Sequence, residues 1–165
     1  QAAAELFARR GYGLVGVREI AGLAEVNVAM ISYYFEGKIG ILHTIIDTFF
    51  DLYFKLVEKE YDPEMTPEES IRHLVALSIG FMRQHEDEAL VMFNQLPIDE
   101  PEIQDLKVQR IRQLFVAMDG LISRFSINST ARKRTIAILG PAIMQAGEWV
   151  TQRSCGPFHG LKVSR

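Results

Sequence analysis

Residues 16–38 read GVREIAGLAEVNVAMISYYFEGK and divide into two short helical patterns around a turn. Val17, Ile20, Ala21 and Ala24 fall at i, i+3, i+4 and i+7, a spacing that gathers apolar groups on one helix face. Gly16 with Glu19 three residues on makes a weakened capping box, glycine standing where a hydroxyl side chain would accept a backbone bond. Ala24-Glu25-Val26 reads as a tight connection, with apolar Val26 expected between the helices. Asn27 suits an N-cap, because its side-chain oxygen can accept from the free N–H groups of the next turn. The second helix, VAMISYYF, is expected to bury Ile31 and Phe35 and to turn Val28, Ala29, Met30, Tyr33 and Tyr34 outward. Lys38 adds a positive charge just beyond.

This is the helix-turn-helix pattern, in which the second helix enters the major groove of DNA by its N-terminal residues. An ordinary αα-hairpin inside a larger bundle fits the periodicity equally well, and the residue order separates the two. GY, then VREIA, then V-N-V-A-M-I-S-Y-Y-F-x-x-K resembles the DNA-binding domain of the TetR family of bacterial transcriptional regulators. The resemblance runs from Gln1 to about Leu42. The remainder matches that family only in length and helical character.

The resemblance implies an all-α protein: a helix-turn-helix domain over residues 1–42 and a helical ligand-binding and dimerisation domain over residues 43–165. It implies a homodimer on double-stranded, pseudo-palindromic operator DNA, usually as a repressor, with a small-molecule effector. Asn27 opens the recognition helix, which would present Val28, Ala29 and Met30 to base edges. Arg18 stands at a position that often reaches DNA, and Tyr33, Tyr34 and Lys38 match phosphate-gripping positions. Valine and alanine can touch thymine methyls but make no bidentate hydrogen bonds, so readout by this helix should lean on shape and methyl contact. The sequence also departs from the family. Val15 and Gly16 stand where threonine or serine is usual, Glu25 for glycine, Ser32 for tyrosine and Ile39 for glutamate. Glu25 would then need an unusual turn conformation or an altered turn, and a left-handed non-glycine residue costs about 1 kcal/mol.

Composition is that of a globular chain: 165 residues, 48% hydrophobic and 24% charged. No run of about 18 apolar residues and no secretory leader is present, so a cytoplasmic protein without membrane contact is expected. Cys155 stands alone, which rules out an internal disulfide. The net charge of -3 gives no general attraction for nucleic acid. Within residues 1–43, Arg9, Arg10, Arg18 and Lys38 are balanced by Glu5, Glu19, Glu25 and Glu36. Gln1 falls inside a helical pattern without an N-cap, so a preceding segment is expected, and the resemblance implies that such an arm is often basic and can reach DNA.

Along the chain, Ala3, Leu6 and Phe7 form an apolar stripe, Gly11 is expected as a left-handed helix stop, and Tyr12 should pack back. Glu36-Gly37-Lys38 turns into a long helix, about residues 39–59, apolar on more than one side and therefore in contact with several neighbours. Thr66-Pro67-Glu68-Glu69 is a full capping box for a helix to about Gln84, with Ile71, Leu74, Val75, Ser78, Phe81, Met82 and His85 on one face. A short helix is expected over 88–96, then one of about 24 residues from Pro101, with Lys107, Arg110 and Arg112 facing water. The last helix, from Asn128 or Ser129, should kink at Gly140-Pro141 and dimerise around residues 137–149.

Enzyme chemistry finds little support. His43 with Asp47 is one helical turn of two possible ligands, and Glu69 with His73 lacks the spacing and the second pair of a di-iron site. There is no His-Glu-x-x-His, no Gly-x-Ser-x-Gly and no phosphate-cradling glycine loop. The expectation is no catalytic residue, no metal and no cofactor. The second half carries material for an apolar cavity, from Phe81, Met82, Phe93, Phe115, Met118, Met144 and Trp149, with His85, Asn94 and Gln145 as polar points. An ordinary packed core would use the same residues. Two other readings stay open: a helical metal-binding or enzyme bundle, and an interaction module whose helix-turn-helix has lost DNA binding.

Overall fold

Phe7 and Leu42 have no exposed surface, and the fold follows from what it takes to bury them together. A computed structural model describes residues 1–60, 62, 64–97 and 101–123. The expected kinked helix, the dimer-forming stretch and Met144, Gln145, Trp149 and Cys155 lie outside these residues.

Seven α-helices and no strand occur among the described residues: α1 (Ala2–Arg10), α2 (Val17–Leu23), α3 (Val28–Phe35), α4 (Lys38–Lys59), α5 (Pro67–Gln84), α6 (Glu86–Leu90) and α7 (Pro101–Ser123). A 3-10 turn, Tyr12–Leu14, joins α1 to α2, and a π-helical turn, Val91–Gln95, follows α6. Ala3, Ala4, Phe7 and Ala8 of α1 are buried, and small alanines let the neighbouring elements approach closely. Those neighbours are α2, α6 and the π turn. The α4 helix contacts α3, α5, α6 and α7, which explains its apolar residues on several sides. One apolar cluster therefore runs from Ala3 and Phe7 through Ile31, Leu42 and Ile46 to Phe81, Val91 and Ile103. Burying each of its larger side chains contributes roughly 1.5–3 kcal/mol.

Local signals set the helix ends. Gly11 stops α1 with φ 82°, its N–H donating to the Phe7 carbonyl at 2.8 Å. Its ψ of 146° is extended, so it is a positive-φ residue outside the left-handed helical region expected of it. Tyr12 does pack back, its ring centroid 5.2 Å from that of Phe7. The Thr66 box forms in full, with Glu69 Oε2 accepting from the Thr66 N–H at 2.9 Å and Thr66 Oγ1 accepting from the Glu69 N–H at 3.4 Å. The Thr66 hydroxyl, which donates to Glu69 Oε2 at 2.7 Å, and then the Thr66 N–H hold the Glu69 carboxyl below its ordinary pKa. Buried Ser78 bonds the Tyr53 hydroxyl at 2.8 Å, joining α5 to α4.

Four further expectations are corrected. Val26 is 41% exposed and does not tuck between helices; its backbone, not its side chain, closes the turn. Ala24 is exposed too, because α2 ends at Leu23 and the stripe loses its last member. Arg110 does not face water. It is only 19% exposed, and its guanidinium bridges α7 to α4, with Nε 3.0 Å from Asp47 Oδ1 and Nη1 3.5 Å from Asp51 Oδ1. Asp47 and Asp51 lie one turn apart on α4 and so face the same neighbour. The short helix also starts two residues earlier than expected, at Glu86, where Glu86, Asp87 and Glu88 suit the positive end of a helix.

Gly40 is where α4 meets the end of α3. A Cβ there would lie 1.7 Å from the Phe35 carbonyl oxygen, which is backbone and cannot swing away. Gly40→Ala should therefore destabilise the fold by about 3 kcal/mol, the upper end for overpacking. Gly22→Ala, with nothing within 4 Å of the added carbon, should be neutral or stabilise by about 0.5–1 kcal/mol. Urea denaturation of both variants checks the pair; equal losses would contradict the close approach.

The contact of α6 with α1 also predicts a pH dependence. Burial, then the charges of Glu88 and Glu5, raise the Asp87 carboxyl above its ordinary 3.8, with Arg9 opposing. The folded state thus prefers the protonated form, so this group's contribution is fully present below 3.8 and is lost as pH rises through the raised value. Asp87→Asn should raise the urea midpoint at pH 7 and match the parent chain below pH 3.8. A lower midpoint at pH 7 would contradict it.

Candidate nucleic-acid interface

The turn between α2 and α3 is built by backbone bonds that place one residue in a left-handed conformation. Glu25 has φ 55°, the Val26 N–H donates to the Ala21 carbonyl at 3.0 Å, and the Glu25 N–H donates to Gly22 at 3.3 Å. These are the two bonds of a Schellman motif, with glutamate in the position that glycine usually takes. The departure at Glu25 therefore keeps the turn, and the residue carries the backbone strain. Asn27 then caps α3 as expected, its Oδ1 accepting from the Ala29 N–H at 2.8 Å.

Only Ile31 of α3 is fully buried, and Phe35 packs half-buried behind it. Val28, Ala29 and Met30 are exposed on the first turn, and Tyr33 and Tyr34 are 81% and 66% exposed, their rings edge-to-face at 5.0 Å. Exposed phenols and a valine-alanine-methionine surface on a helix fixed by two side chains leave most of α3 unused by the fold. Glu36 ends it in a second left-handed conformation, φ 57°, with its N–H on the Ser32 carbonyl at 3.2 Å. Gly37, φ 107°, then redirects the chain into α4.

At the start of α2, Glu19 Oε2 accepts from the Gly16 N–H at 2.9 Å, so the half capping box forms without a hydroxyl partner. Arg10 pairs with the other oxygen of the same carboxylate. The Gly16 N–H first, and Arg10 second, hold the Glu19 carboxyl below its ordinary pKa. Arg9 pairs with Glu5 at 3.1 Å. Both arginines of α1 are thus partly neutralised, while Arg18 is exposed and makes no ion pair among the described residues. The Arg10–Glu19 pair spans two helices and had no local sequence signal.

Lys38 is placed differently from the other proposed DNA-contacting residues. It is half-buried as the first residue of α4, with Nζ donating to the Tyr12 carbonyl at 2.9 Å and the Val15 carbonyl at 3.1 Å. The ammonium also lies over the Tyr12 ring, 4.2 Å from its centroid.

The expected ligand residues are only partly brought together. Phe81 and Met82 are buried in the shared core, Phe93 packs against it, and His85 stacks on Phe81 with centroids 4.5 Å apart. Phe81 also meets Phe49 and Tyr53 of α4 edge-on, so α4 and the expected effector region share aromatic contacts. The side chains of Asn94, Phe115 and Met118 lie outside the described set. Among the described residues, no group of three or more histidine, cysteine, aspartate or glutamate side chains is arranged to hold a metal ion, and no helix is long and apolar enough to cross a membrane. Asp47 and Glu69, each considered with a histidine as a metal ligand, are engaged instead by Arg110 and Thr66.

The strain at Glu25 supplies a direct test of the turn. Glu25→Gly should stabilise the chain by about 1 kcal/mol or slightly less, since glycine removes the left-handed penalty but adds chain entropy on unfolding. Loss of stability in thermal or urea melts would show that the glutamate side chain contributes more than its backbone strain takes away.

Residues 1–45 match the family model described as bacterial regulatory proteins, tetR family. Over 46 residues the chain is 48% identical to the probable HTH-type transcriptional regulator YttP of Bacillus subtilis (strain 168), a match covering 28% of this chain and 22% of that protein. Among solved structures, the fatty acid degradation regulator FadR from Bacillus halodurans superposes with TM-score 0.78 at 20% identity, over 93% of this chain and 86% of that one. FadR from Bacillus subtilis, solved in complex with stearoyl-CoA, gives TM-score 0.72 at 18% identity, over 92% of each chain. At these identities the likeness is one of fold. The first 45 residues thus resemble in sequence the bacterial regulatory proteins of the tetR family, and the chain shares its overall fold with solved transcriptional regulators.

Proposed function

We propose that this chain is a ligand-responsive, DNA-binding transcriptional regulator, acting in the cytoplasm as a homodimer that leaves its operator when a small molecule binds. The observation that carries the reading is α3. Its capped N-terminus and its Val28, Ala29, Met30, Tyr33 and Tyr34 face stand free of the core on a helix anchored by Ile31 and Phe35. In this reading Val28, Ala29 and Met30 meet base edges by shape and methyl contact, and exposed Arg18 supplies hydrogen-bonded readout from α2. Tyr33 and Tyr34 hold phosphates and set register. The DNA-binding domain takes residues 1–42, and residues 43–165 form the effector and dimerisation domain, with α4 running through the boundary.

The effector would bind among the helices around Phe81, Met82, His85 and Phe93, and change the tilt of α4 through the Phe81 contacts with Phe49 and Tyr53. A ligand can shift the DNA-bound and released states only by binding them unequally. The apolar character of those side chains, together with stearoyl-CoA in a solved neighbour, supports a long-chain acyl thioester as the first compound to test.

Selection of binding sites from random duplex DNA tests the reading. A palindromic motif is expected, with half-sites about 34–36 Å apart, one turn of DNA. Enrichment of no motif would contradict it and favour an interaction module. On the selected duplex, Arg18→Ala should relax preference at particular base pairs, whereas Tyr34→Ala should weaken all sequences about equally. Stearoyl-CoA should lower affinity for that duplex; unchanged affinity would remove the acyl effector and leave the DNA reading standing.

A further inference from the structure

We infer that Lys38 is a positioning residue, which clamps the segment entering α2 to the first turn of α4, and not a phosphate ligand. The inference rests on the proposed DNA-binding reading for its consequence, and on the Lys38 geometry for itself. An ammonium has three N–H donors. Two are used inside the protein, on the Tyr12 carbonyl at 2.9 Å and the Val15 carbonyl at 3.1 Å. The charge sits 4.2 Å from the centre of the Tyr12 ring, an attractive cation–π placement, and the side chain is half-buried.

The two carbonyls belong to the 3-10 turn and its exit. The Leu14 N–H donates to Gly11 at 3.3 Å and the Val15 N–H to Tyr12 at 3.4 Å, both at the long end for hydrogen bonds. Lys38 adds a second, charge-assisted partner to the Tyr12 carbonyl and a partner to Val15, which is buried and precedes the Gly16 cap of α2. One side chain therefore joins the end of α1, the start of α2 and the start of α4. Since α4 also receives α3 through Glu36 and Gly37, both helices of the DNA-reading pair are fixed to the same turn of α4. Movement of α4 would carry Arg18 and the α3 face together.

The roles differ in what they do to salt dependence. A phosphate contact contributes about 0.9 to the slope of log affinity against log salt, and removing it lowers the slope by that amount per subunit. A positioning residue lowers affinity through misplaced neighbours and leaves that slope nearly unchanged. The test uses the full chain carrying Lys38→Met, which keeps the aliphatic stem, and Lys38→Arg, which keeps the charge but replaces the compact ammonium by a planar fork.

Hydrogen exchange without DNA should be at least tenfold faster at the Leu14 and Val15 amides of Lys38→Met, with exchange in α5 unchanged. On a selected duplex, both variants should lose affinity about tenfold with a parental salt slope. Parental exchange at Leu14 and Val15 overturns the inference, and so does a Lys38→Arg variant with parental affinity beside a Lys38→Met variant of reduced slope. If Lys38→Met does not fold, the Lys38→Arg affinity and exchange decide the same question. If the parent chain selects no duplex, the DNA-binding reading fails, and the exchange measurement alone decides for or against the clamp.

Discussion

The approach of α4 to the end of α3 is the constraint on which the other features depend. Two conformations that disfavour ordinary side chains, at Glu36 and Gly37, turn the chain through it, and Gly40 lets the first turn of α4 rest on the Phe35 carbonyl. With that joint closed, Ile31 and Phe35 reach the core while the rest of α3 stays outside. A larger residue at Gly40 would push the two helices apart, and the outward face would lose its fixed direction.

The same helix then has a second set of partners along its length. Arg110 holds Asp47 and Asp51 from α7, and Phe81 of α5 contacts Phe49 and Tyr53. The apolar cluster is continuous from α1 to α7, so the helix-turn-helix is not a bead on a flexible tether. Close-packed interiors transmit displacement with little compression. A change of packing around Phe81 therefore has a direct physical route to the α3 face, and α1 against α6 offers a parallel one.

Features decided within one or two turns of chain were legible in the sequence. The Asn27 and Thr66 caps and the outward face of α3 follow from side-chain chemistry and helix period, and the structure has them; of the two turn outcomes left open at Glu25 it has the left-handed one. Features decided by distant partners were not. Arg110 meets Asp47 across 63 positions, and Lys38 meets Val15 across 23, so nothing local marked either cation as internal. Val26 misled because an apolar residue in a turn can be held by its backbone alone. Gly40 gave no signal, since a glycine inside a helix shows its purpose only when the crossing backbone is known. For the effector region, sequence named an apolar set but could not separate core from cavity, because both use the same side chains.

Site-specific photo-crosslinking to a duplex recovered by selection tests the central claim most directly. A crosslinking residue placed at Met30 or Tyr33, both exposed on α3, should label the duplex in each half-site. The same group at Leu52 of α4 or Val108 of α7, also exposed, should not. Labelling from Leu52 or Val108 without labelling from α3 would contradict the account.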